Sequence, residues 1–322
     1  MVEAKRVPEG IYDVIIIGGG PAGFTAGIYA ARARMNAFLV ESFSITGQVM
    51  MTETIENYPG IEKITGFELI SVFKKQAESL GLAVGQGTVK SVSAAEKDGW
   101  SVWQVEDENG TREALSVIIA SGAYPKKLDI PGEEEFSGKG VSYCATCDGA
   151  FFKDKEIIVV GGGDTAVEEA IFLTRFGKRV RLVHRKDRLR ASRVLQERAA
   201  GNKKIELVLD SVVEEINGND KVGGATVKNV KTGRKGRIEC DGVFVCVGWS
   251  PNTGFLGDVV ERDEKGCVIV DDGKKTSREG IFAAGDCCKK RFHQVVTACG
   301  DGAVASHSAQ QYVDELKGVA YK

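Results

Sequence analysis

Two cysteines and an aspartate in the middle of the chain have the residue types for redox chemistry. Cys144 and Cys147 are separated by two residues, and Asp148 follows directly. When such a segment turns helically, the two sulfur atoms can close a disulfide, and one thiol stabilises the thiolate of the other. Asp148 is placed to act as a general acid or base in that exchange, although an aspartate here also suits a helix N-cap. The spacing predicts a reversible dithiol–disulfide pair.

The spacing of the remaining cysteines indicates whether Cys144 and Cys147 form a redox pair or supply two ligands of a zinc site. A zinc ribbon needs a second closely spaced pair, and no other cysteines in the sequence repeat the C-x-x-C spacing. We interpret Cys240 and Cys246, in or beside an apolar strand, as packing residues. Cys287 and Cys288 follow a cofactor-binding signal described below, but nothing assigns them a role. We therefore predict no metal site.

The composition is that of an ordinary globular protein. The chain has 322 residues, enough for two domains, and a formal net charge of −2. Such a balance does not favour a nucleic-acid partner. The apolar run Val14–Ile17 is too short for a signal peptide or a membrane span, so we predict a cytoplasmic protein without membrane association. Because cytosolic thiols are kept reduced, a disulfide here should be catalytic.

A glycine-rich turn near the N-terminus predicts a first dinucleotide site. An apolar strand, 12–17, leads directly into it, a helix over about 21–34 follows, and the next strand, 37–40, ends at Glu41. The glycines allow a tight turn and close approach of the backbone to a pyrophosphate at the helix N-terminus, while Glu41 can accept hydrogen bonds from ribose hydroxyls. The residues assigned to this turn are Gly18, Gly20, Pro21, Ala22, Gly23 and Glu41.

The same order of elements returns after the cysteine pair. The strand 156–160 leads into a second glycine turn, a helix to about residue 176 follows, and the strand 179–183 ends in a basic stretch instead of an acid. Cations at the ribose end suit a 2′-phosphate, so we predict NADPH, although most basic clusters are simply solvated. The residues assigned to this site are Gly161, Gly162, Gly163, Asp164, Thr165, Ala166, His184, Arg185, Lys186 and Arg190.

A third signal near the C-terminus belongs with the first unit. An apolar strand, 280–284, is followed by Gly285-Asp286 and by a helix over about 294–316. Asp286 can hold ribityl or ribose hydroxyls, and the helix N-terminus can face negative charge on a reduced flavin, so we predict FAD. The predicted fold is α/β, with two Rossmann-like domains. Residues 1–118 and 249–322 form a discontinuous FAD domain, and 119–248 form an inserted NAD(P)H domain that carries the C-x-x-C motif.

In order, these motifs resemble those of the low-molecular-weight thioredoxin reductases of bacteria and archaea, over essentially the whole chain. The matching motifs are GGGPAG at 18–23, TGQ at 46–48, ENYPG at 56–60, CATCDG at 144–149, GGGDTA at 161–166 and AAGD at 283–286. The resemblance implies a homodimer that reduces thioredoxin. It also implies that Cys147 is the thiol nearest the flavin, that Cys144 attacks the thioredoxin disulfide, and that Asp148 supplies protons.

Further FAD contacts come from the same resemblance. We assign to the flavin site Gly47, Gln48, Asn57, Val89, Gly122, His293, Gln294 and Val295, together with Gly285 and Asp286. Two positions depart from the family. Lys186 stands where a second arginine is usual, and lysine lacks the bidentate fork, so the preference for NADPH is expected to be weaker. His293 stands where many relatives have arginine, and we expect it to tune the flavin potential or the dithiol pose.

Four alternatives remain at this point. The flavoprotein subunit of an alkyl hydroperoxide reductase carries an extra N-terminal C-x-x-C region, whereas only some ten residues precede the first strand here. A ferredoxin-fed reductase would have lost the second glycine turn and the basic run 184–190. A redox sensor without turnover does not need the cysteine pair followed by Asp148, and a ferredoxin–NADP reductase would lack that pair. NADH as reductant, or another small disulfide protein as acceptor, also stays open.

Overall fold

The computed structural model describes residues 7–42, 47–52 and 55–320, with the side chains of Gln48 and Met51 left out of the description. The chain divides into two compact units. The first comprises Met1–Glu53, Tyr58–Tyr124 and Ser250–Lys322, and the second comprises Thr54–Asn57 and Pro125–Trp249. The second unit is thus an insertion in the first. The functional assignment of the two units stays a prediction.

A mixed β-sheet forms the centre of the first unit. Seven of the described strands build it, six of them in the spatial order Ala83–Gln86, Ala37–Glu41, Ile11–Ile17, Gly110–Ile119, Trp100–Asp107 and Ser91–Lys97. The first four of these pair in parallel, and the last two pair antiparallel. The seventh strand, Ile281–Ala283, pairs in parallel with Gly110–Ile119. The strand of the predicted C-terminal motif therefore belongs to the same sheet as the strand that leads into the first glycine turn.

The helices of the first unit have sequence-coded ends. They are the α-helices Pro21–Arg32, Gly66–Ser79 and Val295–Lys317 and the 3₁₀ turns Gln48–Met51, Gly254–Leu256 and Gly285–Cys287. Thr65 and Glu68 form a capping box at the start of the second helix, in which each side chain accepts the other residue's backbone N–H. The third helix ends at Gly318, whose φ of 72° is the left-handed cap that glycine adopts without strain.

The second unit is built on a parallel sheet. Its five described strands lie in the order Ile205–Val208, Arg179–Val183, Glu156–Val160, Gly242–Val245 and Val141–Ser142. The helices are Ala145–Asp148, Asp164–Leu173 and Arg193–Ala200, with the 3₁₀ turn Gly149–Phe152. An antiparallel sheet of three described strands, Ser211–Gly218, Val222–Asn229 and Lys235–Glu239, completes the unit. Elsewhere, the short strands Ala123–Pro125 and Trp249–Pro251 pair with each other.

Alternation along one strand shows how the parallel sheet is covered. Ile157 and Val159 pack into a cluster with residues of the helix Asp164–Leu173. Ile158 and Val160 point to the opposite face and pack with residues of the antiparallel sheet, such as Ile216. Because successive side chains of a strand face opposite ways, a strand apolar at every position must be buried on both sides. This arrangement confirms the predicted α/β fold class.

Candidate active site with a disulfide and two glycine turns

Cys144 and Cys147 form a disulfide in the second unit, with their Cα atoms 5.4 Å apart. Cys144 is the extended N-cap of the short helix Ala145–Asp148, and the backbone N–H of Asp148 donates to the Cys144 carbonyl over 3.1 Å. The chain enters this turn from the strand Val141–Ser142, which pairs with the buried strand Gly242–Val245. The sheet therefore fixes the point from which the redox turn starts.

Asp148 is held by a serine of that entering strand. The Ser142 hydroxyl donates to Asp148 Oδ2 over 2.6 Å, and the backbone N–H of Cys144 donates to Ser142 Oγ over 3.1 Å. On the exposed side of the turn, Thr146 Oγ1 lies 3.3 Å from Cys144 Sγ. The predicted acid–base residue is thus tied to the backbone of the first cysteine. Asp148 is the N-cap of the 3₁₀ turn Gly149–Phe152, but its backbone there is αR and its carboxylate is bound by Ser142.

The carboxyl group of Glu169, on the helix Asp164–Leu173, contacts the redox turn. Glu169 accepts a hydrogen bond from the Cys246 thiol over 2.7 Å and another from the backbone N–H of Ala145. Burial raises the pKa of Glu169, and these two hydrogen bonds oppose part of that rise. Burial and the adjacent carboxylate raise the pKa of the Cys246 thiol well above its usual value. Cys246 is therefore more than the packing residue that the sequence suggested, and nothing in the sequence indicated Glu169.

The first glycine turn has a backbone that side chains could not enter. Gly18 has φ 115°, and a Cβ there would run into the carbonyl oxygen of Ala120. A Cβ at Gly23 would run into the carbonyl oxygen of Gly18. In contrast, a Cβ at Gly20, the N-cap of the helix Pro21–Arg32, would meet no described atom within 4 Å. The turn is therefore tight on its inner side and open where a phosphate would approach the helix N-terminus.

Glu41, the last residue of the strand Ala37–Glu41, borders this turn. A Cβ at Gly19 would stand 2.8 Å from Glu41 Oε2, so the carboxylate borders the glycines directly. Lys74, on the helix Gly66–Ser79, forms an ion pair with Glu41 Oε1. No local pattern predicted this lysine, because it reaches Glu41 only through the packing of that helix.

The segment Gly285-Asp286 near the C-terminus lies against the first glycine turn. A Cβ at Gly285 would stand 2.9 Å from Ala22 Cβ. Asp286 Oδ1 is buried and has no hydrogen-bond partner among the described residues, although Lys290 Nζ lies 3.3 Å away as an ion pair. An acceptor left over beside an open glycine turn fits the hydroxyl groups of an FAD. Lys290 Nζ also lies 3.0 Å from Asp301 Oδ2, which adds a half-buried charge network next to Asp286.

The remaining residues assigned to FAD are placed as follows. Gln294 is the N-cap of the helix Val295–Lys317, and burial lowers the pKa of His293 just before it. Gly122 has φ 69°, and Val89 is half-buried against the core of the first unit. Gly47 is the N-cap of the 3₁₀ turn that begins at Gln48; the Gln48 side chain and Thr46 lie outside the described residues. Asn57 lies in the segment that groups with the second unit.

The second glycine turn repeats this geometry. Gly161 has φ 156°, and a Cβ there would stand 2.5 Å from both the Cys246 carbonyl oxygen and Ala166 Cβ. Gly163 is the N-cap of the helix Asp164–Leu173, and a Cβ there would meet no described atom within 4 Å. Asp164 Oδ1 accepts the backbone N–H of Ser192 over 2.6 Å, and Thr165 is exposed. This turn is also open at its helix N-terminus.

The basic stretch after the strand Arg179–Val183 folds back onto this turn. The backbone N–H of Arg190 donates to the Gly162 carbonyl over 2.6 Å, which ties the basic stretch to the glycine turn. The side chains of Arg185, Lys186 and Arg190 are exposed. His184 is buried against Gly162, and its Nε2 has no hydrogen-bond partner within the described part of the chain. Burial, followed by the nearby Arg190, lowers the pKa of His184. The predicted nucleotide residues are thus brought together in one unit.

The disulfide lies in the same unit as an open glycine turn, and a second such turn lies in the other unit of the α/β fold. These features together define the class of nucleotide-dependent disulfide oxidoreductases. The chain belongs to the family described as pyridine nucleotide-disulphide oxidoreductase, which matches residues 12–302. Membership of this family implies FAD and a pyridine nucleotide as cofactors.

Similar proteins agree with this class. The chain is 46% identical over 310 residues to a thioredoxin reductase of Bacillus subtilis, covering 96% of this chain and 97% of the relative. It is 44% identical to a thioredoxin reductase of Treponema pallidum, covering 95% and 98%. A crystal structure of thioredoxin reductase from Streptococcus pyogenes matches with a TM-score of 0.88 and 45% identity, covering 96% of this chain and all of that one. The family resemblance found in the sequence is confirmed.

Within the described residues, no helix combines the length and apolar character needed to cross a bilayer. Nor do three or more His, Cys, Asp or Glu side chains among them gather in an arrangement suited to a metal ion.

Proposed function

We propose that this chain transfers two electrons from NADPH, through FAD, to the Cys144–Cys147 disulfide and on to a thioredoxin. The observation that carries the proposal is the disulfide itself, closed over a helical turn next to Asp148. The identity to thioredoxin reductases over nearly the whole chain supports thioredoxin as the acceptor. When bound, FAD would accept hydride from the nicotinamide and return the electrons to the disulfide.

The residues of the redox turn have distinct proposed roles. Reduction of the disulfide yields the thiols of Cys144 and Cys147, with Asp148 exchanging a proton with one of them. The Cys144 thiolate attacks the disulfide of thioredoxin and forms a mixed disulfide, which Cys147 resolves. The products are a reduced thioredoxin dithiol and the original Cys144–Cys147 disulfide, so atoms and electrons balance over one cycle.

The choice of NADPH depends on the basic stretch. Arg185, Lys186 and Arg190 are exposed beside the second glycine turn, where a 2′-phosphate would lie. Lysine supplies charge but not a bidentate fork, so we expect a preference for NADPH rather than exclusion of NADH. The domain assignment, the homodimer, the cytoplasmic location and the separate roles of the two cysteines stay predictions.

Anaerobic titration of the FAD-loaded protein tests this function. NADPH should bleach the flavin absorbance at lower concentration than NADH, and an oxidised thioredoxin added afterwards should restore it. Cys147→Ser should retain FAD but lose thioredoxin turnover, whereas Cys267→Ser, at a half-buried cysteine of the first unit, should keep it. Bleaching by dithionite but by neither nucleotide would favour a ferredoxin-fed reductase instead. Full turnover of Cys147→Ser would show that the dithiol mechanism is wrong.

A further inference from the structure

Ser142 occupies an unusual place between the sheet and the redox turn. Its side chain is buried, with 5% of the residue exposed. Its backbone belongs to the strand Val141–Ser142, where it pairs with Phe244 of the strand Gly242–Val245. The sheet therefore fixes the backbone of Ser142 two residues before Cys144 and five before Cys147.

The hydroxyl of Ser142 connects the two ends of the turn. It has one proton to donate, and the nearest acceptor is Asp148 Oδ2 at 2.6 Å; the Cys144 carbonyl lies farther away, at 3.4 Å. A hydroxyl donating to a carboxylate makes a short, charge-assisted bond, as observed here. The oxygen accepts the backbone N–H of Cys144 over 3.1 Å, so the same group also orients the first cysteine.

We propose that Ser142 is a positioning residue for proton transfer: its hydroxyl orients the Asp148 carboxylate and favours the ionised form, from which Asp148 accepts a proton during the dithiol–disulfide cycle. The inference rests on the proposed role of Asp148. Reduction of the disulfide breaks the sulfur–sulfur bond and takes up two electrons, from reduced flavin or from a small dithiol, together with two protons. Asp148 exchanges one of these protons, and Ser142 keeps its own proton throughout.

Substitution of Ser142 should move a pH profile rather than only lower a rate. Without the hydroxyl, the ionised form of Asp148 loses a hydrogen bond, so protonation is favoured and the acid limb moves to higher pH. In Ser142→Ala we expect the midpoint of that limb to rise by roughly 0.5–1 pH unit, so that the rate at a fixed pH below the midpoint falls about threefold to tenfold. Ser142→Thr, which retains the hydroxyl, should restore the profile. Ser116→Ala is a matched control, since Ser116 is also buried and hydrogen-bonded but lies in the first unit.

The assay is kept separate from thioredoxin and from the nucleotide. The FAD-loaded protein is reduced with dithiothreitol, desalted anaerobically, and mixed with 5,5′-dithiobis(2-nitrobenzoate) between pH 5 and 9. If thioredoxin is not the acceptor, this measurement still reports on Ser142. Other ionisable groups at the turn are Glu169 and Cys246 beneath it and Tyr143, which donates to Glu133. Glu169→Gln therefore serves to separate their contribution to the profile.

A double-mutant cycle decides the outcome. In the Asp148→Asn background, Ser142→Ala should add less than a twofold change, because the two residues act through one hydrogen bond. If Ser142→Ala fails to fold, Ser142→Gly replaces it, since it also lacks the hydroxyl and adds no thiol to the assay, and a shift in the same direction is expected. An unmoved acid limb in the folded variant, or full additivity with Asp148→Asn, would overturn the proposal.

Discussion

Both glycine turns begin with a glycine of positive φ, Gly18 at 115° and Gly161 at 156°, and both lead into a helix whose N-cap is a glycine facing open space. They differ at the sixth position of the turn, which is Gly23 in one and Ala166 in the other. They differ again at the end of the next strand, where Glu41 stands against His184 and its basic neighbours.

Within each motif, the backbone of the turn and the side chains at the end of the next strand have different functions. Both turns share an open backbone at the helix N-terminus, and we propose that a pyrophosphate binds in this space, which a side chain would fill. The side chains at the end of the next strand differ. A carboxylate there favours a ribose with free hydroxyl groups, whereas cations favour a ribose that carries a 2′-phosphate. Substitutions in the turn should therefore abolish binding, whereas substitutions at the strand end should change which nucleotide is bound.

The largest effect is expected at the sixth position. Gly23→Ala would place a methyl group against the Gly18 carbonyl, and such overpacking costs about 1–3 kcal/mol and opens the turn. We expect flavin content, measured from the ratio of visible to ultraviolet absorbance, to fall more than tenfold. The reciprocal change, Ala166→Gly, loses a buried methyl group and should cost about 1 kcal/mol while leaving flavin content intact. Normal flavin in Gly23→Ala would show that the turn adapts.

The next effect concerns the strand end. Arg190→Ala removes a charge-assisted contact worth roughly 1.5–3 kcal/mol, so the KM for NADPH should rise about 10- to 100-fold. The KM for NADH should stay within about twofold, since NADH has no 2′-phosphate. Arg188→Ala, two residues earlier and also exposed, is the control in steady-state assays with both nucleotides. Equal losses for NADPH and NADH would argue against a phosphate at this position.

A smaller change should sharpen the contrast. Lys186→Arg supplies the planar fork that the lysine lacks, and we expect the KM for NADPH to fall about two- to fivefold with that for NADH unchanged. The ratio of kcat/KM for the two nucleotides is the measurement. An unchanged ratio would mean that the side chain at 186 does not reach the nucleotide.

The smallest expected effect is on stability against pH. Burial lowers the pKa of His184 in the folded protein, so the folded state binds its proton less readily than the unfolded chain. Its stabilising effect is fully present above the unfolded pKa of about 6.5 and is lost as the pH falls through that value toward the lowered one. Urea midpoints at pH 7.5 and 5.5 should converge in His184→Gln relative to the unsubstituted protein. The same loss in both proteins would assign the acid sensitivity to another group.

Local patterns in the sequence predicted the turns well. The strands before both glycine turns lie where predicted, and a helix follows each turn, because apolar runs and glycines act locally. The first helix starts at Pro21 and ends at Arg32 instead of 34, the second ends at Leu173 instead of about 176, and the helix expected from 294 starts at Val295 with Gln294 as its cap. Helix ends differ by one to three residues because the last hydrogen bonds depend on neighbouring groups.

Contacts between distant positions were not predictable in this way. Lys74 reaches Glu41 and Cys246 reaches Glu169 only after a helix packs on a sheet. Neither lysine nor cysteine carries a local signal for such a contact. The strand Val222–Asn229 was also missed, because its glycines and mixed polarity give little β-propensity, and its buried side chains become apolar partners only once the parallel sheet lies beneath them.

The raised pKa of Cys246 bears on unwanted thiol–disulfide exchange within the protein. A disulfide enzyme keeps several thiols within one fold, and any that ionised readily could exchange with the redox pair or with a mixed-disulfide partner. Burial raises the pKa of Cys240 to about 12 and that of Cys246 well above its usual value. Since the thiolate is the attacking species, a raised pKa leaves less of each thiol in the reactive form at neutral pH. These two cysteines of the second unit are thereby poor competitors for thiol exchange with the Cys144–Cys147 pair.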